Sequence, residues 1–162
     1  MTQSKSLSIT IKPVWEELDG VREQVEGFLE KNNFQKDQVY AMVMTTSELA
    51  ENAIKYGAQG EANSIHITAD IYPKEVIIEV KNKIRDIDDD ELKKLDEDIQ
   101  WIRGFQNQYE AYMEKLKHVS AKTLKDGESG LGLVRIAYEG QSILDFYVNE
   151  NDILAMSAVY KL

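Results

Sequence analysis

The stretch VYAMVMTTSELAENAIKYG, residues 39–57, decides the architecture of this chain. At about 100° per residue, Val39, Met42, Val43, Thr46, Leu49, Ala50, Ala53 and Ile54 form one broad stripe suited to packing on a sheet. Met44, Thr45, Glu48, Glu51, Asn52 and Lys55 fall on the opposite side, which predicts a helix with one buried and one polar face. Gly57 stands where a left-handed residue would end it, and Gln35 or Asp37 is placed to begin it.

Upstream of this helix, Ile9 and Ile11 alternate with polar neighbours as in a strand. From Pro13, residues Val14, Leu18, Val21, Val25, Phe28 and Leu29 recur at helical spacing until Asn32 and Asn33 interrupt them. Downstream, Ile65, Ile67, Ala69 and Ile71 alternate in one arm of a hairpin and Val76, Ile78 and Val80 in the other, with Tyr72, Pro73 and Lys74 as the turn. DDDELKKLDEDIQWIRG then reads as a helix with aspartates at its favourable end. A second helical run after Gly104 sets Phe105, Tyr109, Tyr112, Met113 and Leu116 at core-like intervals. A short helix over 131–138 and two strands over 142–148 and 153–160, joined by the turn NEND, close the chain.

These elements predict a two-layer α/β sandwich with a mixed sheet, covered on one face by the helices over 14–32 and 37–56. Neither a repeat nor a low-complexity linker divides residues 1–162, so one domain is expected.

Composition narrows the chemistry. The absence of cysteine excludes disulfides, iron-sulfur clusters and thiolate zinc sites. His66 and His118 lie in unrelated segments, neither in an HExxH-type motif, so a bound metal is expected to rest on oxygen ligands. The net charge of -10 opposes binding to nucleic acid and to anionic membranes. The start MTQSKSLSITI lacks the roughly 7–15-residue apolar core of a secretion signal, and no window approaches the length of a membrane span, so the cytoplasm is the expected location.

Two features carry possible chemistry. Glu48 and Asn52 are four apart on the polar side of their helix. A carboxylate there can take a proton, and the amide oxygen can ligate a hard divalent cation. Spacing alone leaves open that both simply face water. The segment GESGLGL, residues 127–133, offers unobstructed backbone N–H groups beside a helix start, suited to an anion or to a turn required only for packing. It is not a GxxxxGK[ST] loop and does not follow a strand as a GxGxxG element does. Lys55 and Arg135 are placed to meet phosphate, or to serve as ordinary surface cations, with Arg135 also able to meet an acidic protein surface. His66 reads as a structural strand residue, and DIDDDE, residues 86–91, as a helix start without the spacing of a calcium loop.

The ordered combination of TSELAENAIKYG, a hairpin ending in EVKNK, and SGLGLVRIA resembles the GHKL ATP-binding superfamily. It is most similar to the anti-sigma-factor serine kinases and the related SiaB-type kinases, over about residues 7–162. The resemblance implies a Bergerat-type, histidine-kinase-like ATPase fold that uses ATP and magnesium. Glu48 would be the general base, Asn52 the magnesium ligand, and Lys55, Gly127, Gly130, Leu131 and Gly132 the surroundings of the phosphates. Asn82 falls near the aspartate of the family's adenine-recognising D-x-G-x-G element. Here that stretch reads VKNKIRDIDDDE, without a glycine, and an amide oxygen would have to accept the adenine amino group.

A helical insertion over about 88–120 is similar to the SiaB-type variation. No dimerisation helix with a phosphoacceptor histidine precedes the module, so a complete sensory histidine kinase is not implied. Two functions follow from the resemblance. One is a serine/threonine kinase acting on a small, STAS-type regulatory protein in a partner-switching pathway. The other, motivated by the altered adenine element and the helical insertion, is a catalytically weak or nucleotide-free binding module that sequesters a sigma factor or another regulatory protein. A homodimer is compatible with either.

Overall fold

A computed structural model describes residues 5–57, 63–84, 89–121 and 131–162. The chain runs β1 (Lys5–Ile11), a single 3₁₀ turn (Trp15–Glu17), α1 (Leu18–Lys31), α2 (Lys36–Tyr56), β2 (Ile65–Ile71) and β3 (Glu75–Lys83). It continues through α3 (Asp89–Arg103), α4 (Gln108–Ala121), α5 (Leu131–Tyr138), β4 (Ser142–Val148) and β5 (Ile153–Lys161). The strands form one sheet in the order β1-β2-β3-β5-β4.

Every pairing in that sheet is antiparallel, which corrects the expected mixed sheet. The reason lies in the connections. Two helices between β1 and β2 mean three reversals of the chain, so β2 returns antiparallel to β1. Three helices separate β3 from β4, which makes those strands run the same way, but β5 folds back from β4 and lies between them. Tight turns make the remaining joins, with Tyr72 N–H donating to Glu75 O at 2.8 Å and Asn149 N–H to Ile153 O at 3.0 Å.

Alternation decides which face the helices cover. Ile9, Ile11, Ile65, Ile67, Ala69, Ile71, Val76, Ile78 and Val80 all point into the core, as their period of two requires. The intervening residues carry polar contacts such as Ser6 Oγ to Asp70 Oδ1 at 2.6 Å and Lys81 Nζ to Glu79 Oε1 at 3.3 Å. The result is the expected two-layer sandwich, and α3 with α4 forms the expected helical insertion.

α1 buries Leu18, Val21, Val25 and Leu29 against this layer. It ends where Asn33 adopts φ 67°, a left-handed conformation that asparagine tolerates better than most residues. Val14 lies outside the helix and is exposed. α2 starts from Gln35, whose N–H donates to Gln38 Oε1 at 2.9 Å in a reciprocal capping box.

α2 is buried over a wider sector than its apolar stripe. Met44 and Thr45, expected on the polar side, are enclosed because α1 and α5 pack against α2 from outside the sheet contact. Thr45 and Thr46 satisfy their hydroxyls by donating to Ala41 O and Met42 O, at 2.8 and 2.7 Å. Gly57 is extended, at φ -79° and ψ 167°, not left-handed as expected. Glycine is needed there for space: an added Cβ would meet Ala53 O and the Asn82 amide, where Gly57 bridges to Ile84.

Leu49 is 1% exposed at the centre of the α2 stripe. Leu49→Ala is expected to cost about 2–4 kcal/mol in a denaturant titration. An unchanged unfolding midpoint would contradict that packing.

The insertion differs from the expected pattern. Among the described side chains of α4, Ala111 is the one fully buried, whereas Tyr109 and Met113 are exposed. With Trp101, Phe105, Glu110 and Glu114 they line a surface groove of about 460 Å³. No helix among the described residues is long and apolar enough to cross a membrane.

Candidate active site

The C-terminal half of α2 keeps its apolar side in the core through Leu49, Ala50, Ala53 and Ile54. Its first charged residue is Glu48, whose side chain is 16% exposed. The packing of α5 across α2 brings Arg135 to it, with Nη1 2.8 Å from Glu48 Oε1. Just past the end of α5, Glu139 accepts a second hydrogen bond from the same guanidinium, Arg135 Nε to Glu139 Oε2 at 3.1 Å.

The other Glu48 oxygen lies against the start of α5. An added Cβ on Gly132 would sit 2.7 Å from Glu48 Oε2, so the missing side chain is what lets the carboxylate occupy this place. The glycine motif and the acidic residue, distant in sequence, therefore meet.

Burial raises the Glu48 pKa above the ordinary 4.5, and Glu51 adds to the rise. Arg135 and Lys55 oppose it, while Glu139 works with the burial. The net effect is a carboxylate more basic than a solvated one. Burial works against the charge of Arg135, but its hydrogen bond to Glu139 and the nearby Glu48 hold it firmly cationic.

Asn52 follows Glu48 by one turn, about 6 Å along the axis. It is half-buried, and its amide oxygen is of the kind that ligates a hard cation. The described residues contain no group of three or more His, Cys, Asp or Glu able to hold a metal. A magnesium ion here would take one protein ligand and fill its shell with water and phosphate oxygens, as that ion commonly does. Neighbouring Glu51 is drawn aside toward Arg22 of α1, whose Nη2 lies 3.8 Å away. Lys55 is exposed, further along the same helix.

At the end of α2, Asn82 of β3 is 4% exposed. Its Nδ2 makes long hydrogen bonds to Ala53 O at 3.4 Å and Lys83 O at 3.3 Å. The amide nitrogen thus ties the sheet to the helix terminus, and the oxygen is the atom left to accept from an amino group. Asn82→Asp, which introduces the residue type of the D-x-G-x-G element, is expected to destabilise the fold by about 1–3 kcal/mol, because a carboxylate would face two carbonyls. Thermal melting reads this. A variant as stable as the parent would mean that the two amide contacts contribute nothing.

Glu48 and Asn52 thus share one side of α2, Gly132 meets Glu48, and Asn82 meets the backbone of α2 at Ala53. Leu131 is the first residue of α5, half-buried beside Gly132. Gly127 and Gly130 lie outside the described residues. Glu139 was missed in the sequence, although its i,i+4 spacing from Arg135 was visible there.

A family model described as the histidine kinase-like ATPase domain matches residues 13–138. Among solved structures, a chain from the crystal structure of the SiaB-SiaC complex of Pseudomonas aeruginosa has a similar fold, with a TM-score of 0.73 at 16% identity. The alignment covers 94% of this chain and 88% of that one. No curated protein matches by sequence.

Proposed function

The chain belongs to the histidine kinase-like ATPase domain family, and from that premise we propose that it is an ATP- and magnesium-dependent serine/threonine kinase. Its substrate would be a small regulatory protein of STAS type in a cytoplasmic partner-switching pathway. The observation that carries this reading is the meeting of Glu48 with Gly132, which sets a basic, half-buried carboxylate beside the glycine segment. A protein partner is supported by the similar fold found in the SiaB-SiaC complex.

In the reaction, Glu48 Oε2 takes the proton of the acceptor hydroxyl as that oxygen bonds to the γ-phosphorus of ATP. The bond from that phosphorus to the bridging oxygen breaks, and ADP leaves. Magnesium, when bound, would neutralise charge on the phosphate oxygens. Asn52 would hold it, Asn82 would accept from the adenine amino group, and the N–H groups around Gly130, Leu131 and Gly132 would face the phosphates. Lys55 would supply positive charge nearby. The protein's contribution is mainly alignment and charge stabilisation.

Calorimetry with ATP, with and without magnesium, tests the first half of this proposal. Tight binding that depends on magnesium and weakens about tenfold or more in Asn52→Ala is expected, since the amide is the cation's protein ligand. Co-purification of the partner, then phosphosite mapping after incubation with ATP, tests the second.

One observation favours the alternative module. The Asn82 amide is engaged with Ala53 O, in a stretch without the glycines of the adenine-binding element. A folded protein that binds no ATP but holds its partner would establish the nucleotide-free reading.

A further inference from the structure

We infer that Arg135 is a positioning residue, clamping one oxygen of Glu48 so that the other is presented beside Gly132 to the incoming acceptor hydroxyl. The inference rests on the kinase reading and adds a residue to it.

The geometry is that of a relay of fixed groups. Glu139, the residue after the end of α5, accepts from Arg135 Nε at 3.1 Å and so sets the guanidinium's orientation. Arg135 Nη1 then reaches across to α2 and holds Glu48 Oε1 at 2.8 Å. Oε2 is left facing Gly132. The three side chains are 30%, 34% and 16% exposed, enclosed enough for the contacts to be directional and little screened.

A glutamate without this clamp would sample several rotamers, because its carboxylate sits on three rotatable bonds. Other charged groups near Glu48 are placed differently. Glu51 and Lys55 share its helix, and Arg22 of α1 is occupied by Asp19 at 2.6 Å and by Ser47 at 3.0 Å. Arg135 alone among these connects Glu48 to α5, the element that carries Gly132. A shift of the phosphate segment at α5 would therefore be transmitted to the base through one guanidinium.

The test is a double-mutant cycle read by transfer to the co-purified partner. Arg135→Met should lower kcat by up to about 100-fold, with the KM for ATP nearly unchanged, since misplacement of a catalytic group by about 1 Å has that effect. Arg135→Lys should restore part of the loss, and Glu139→Gln should produce a smaller fall of the same kind. In a Glu48→Gln background, Arg135→Met should cost nothing further, because the arginine acts through the carboxylate.

An equal loss in both backgrounds would mean that Arg135 acts on the phosphates directly and would overturn the inference. An unchanged kcat in a well-folded Arg135→Met protein would overturn it as well. The clamp also has a readout independent of activity: the ¹⁵Nη resonances of Arg135 should move in Glu48→Ala, which removes the acceptor of Nη1. A moved resonance with a wild type that transfers no phosphate overturns the kinase reading while leaving the ion pair established. An unmoved resonance overturns the clamp itself.

Discussion

Glu48→Gln is expected to reduce phosphoryl transfer by about 10²–10⁴-fold while leaving the fold and most ATP affinity intact. The substitution keeps the side chain's volume, and the amide oxygen can still accept from Arg135 Nη1, now 2.8 Å from Glu48 Oε1. What it removes is the ability to take a proton, since an amide nitrogen is a donor.

The same carboxylate fixes a pH dependence. Burial and then Glu51 raise its pKa above 4.5, against Arg135 and Lys55. The ionised base is therefore lost at a higher pH than an ordinary glutamate would be as the solution is acidified. Wild-type transfer should show an acid limb above pH 4.5, and the Gln variant's residual rate should lack it. Single-turnover phosphorylation of the purified partner across pH measures both. A variant transferring at the wild-type rate would remove Glu48 from the role of base.

The sheet and the stripe of α2 were legible because they depend on local periodicity. Ile65 to Ile71 and Val76 to Val80 each set a buried apolar residue at every second position, and Val39, Met42, Leu49 and Ala53 repeat at helical spacing. The burial of Met44 and Thr45 was not legible, because it comes from α1 and α5, whose positions no local pattern specifies. Strand direction was missed for a related reason: β5 enters between β3 and β4 through a tertiary choice of neighbour.

Within the site, ExxxN spacing gave the shared polar side of Glu48 and Asn52, and the glycine run marked the start of α5. The ion pair from Arg135 to Glu48 joins residues separated by the hairpin and the whole insertion, so only packing could disclose it. Gly57 carried a misleading signal. Glycine after a helix suggests a left-handed cap, yet here it answers to the crowding of Ala53 O and the Asn82 amide. Tyr109 and Met113 misled likewise, since helical spacing does not distinguish a core face from the wall of a surface groove.

Gly132→Ala should lower transfer by up to about 100-fold with little effect on stability. Alanine suits the first turn of a helix better than glycine, so the backbone of α5 has no reason to object. The obstruction is confined to one atom: the new Cβ would lie 2.7 Å from Glu48 Oε2, closer than a carbon and an oxygen normally approach. The carboxylate is the free end of a side chain and can move away more cheaply than the helix can. Arg135 still holds Oε1, so the movement must either rotate Oε2 away from the entry point of the acceptor hydroxyl or break the 2.8 Å contact. Either course misplaces the base. Three measurements separate this from a folding defect or a lost phosphate contact. The melting temperature should stay near that of the parent, magnesium-dependent ATP binding should change by only a few-fold, and kcat should fall. In Glu48→Ala, where nothing remains to collide with the added methyl group, Gly132→Ala should have no further effect on the residual rate. A further fall there would assign Gly132 to the phosphates and not to the placement of Glu48.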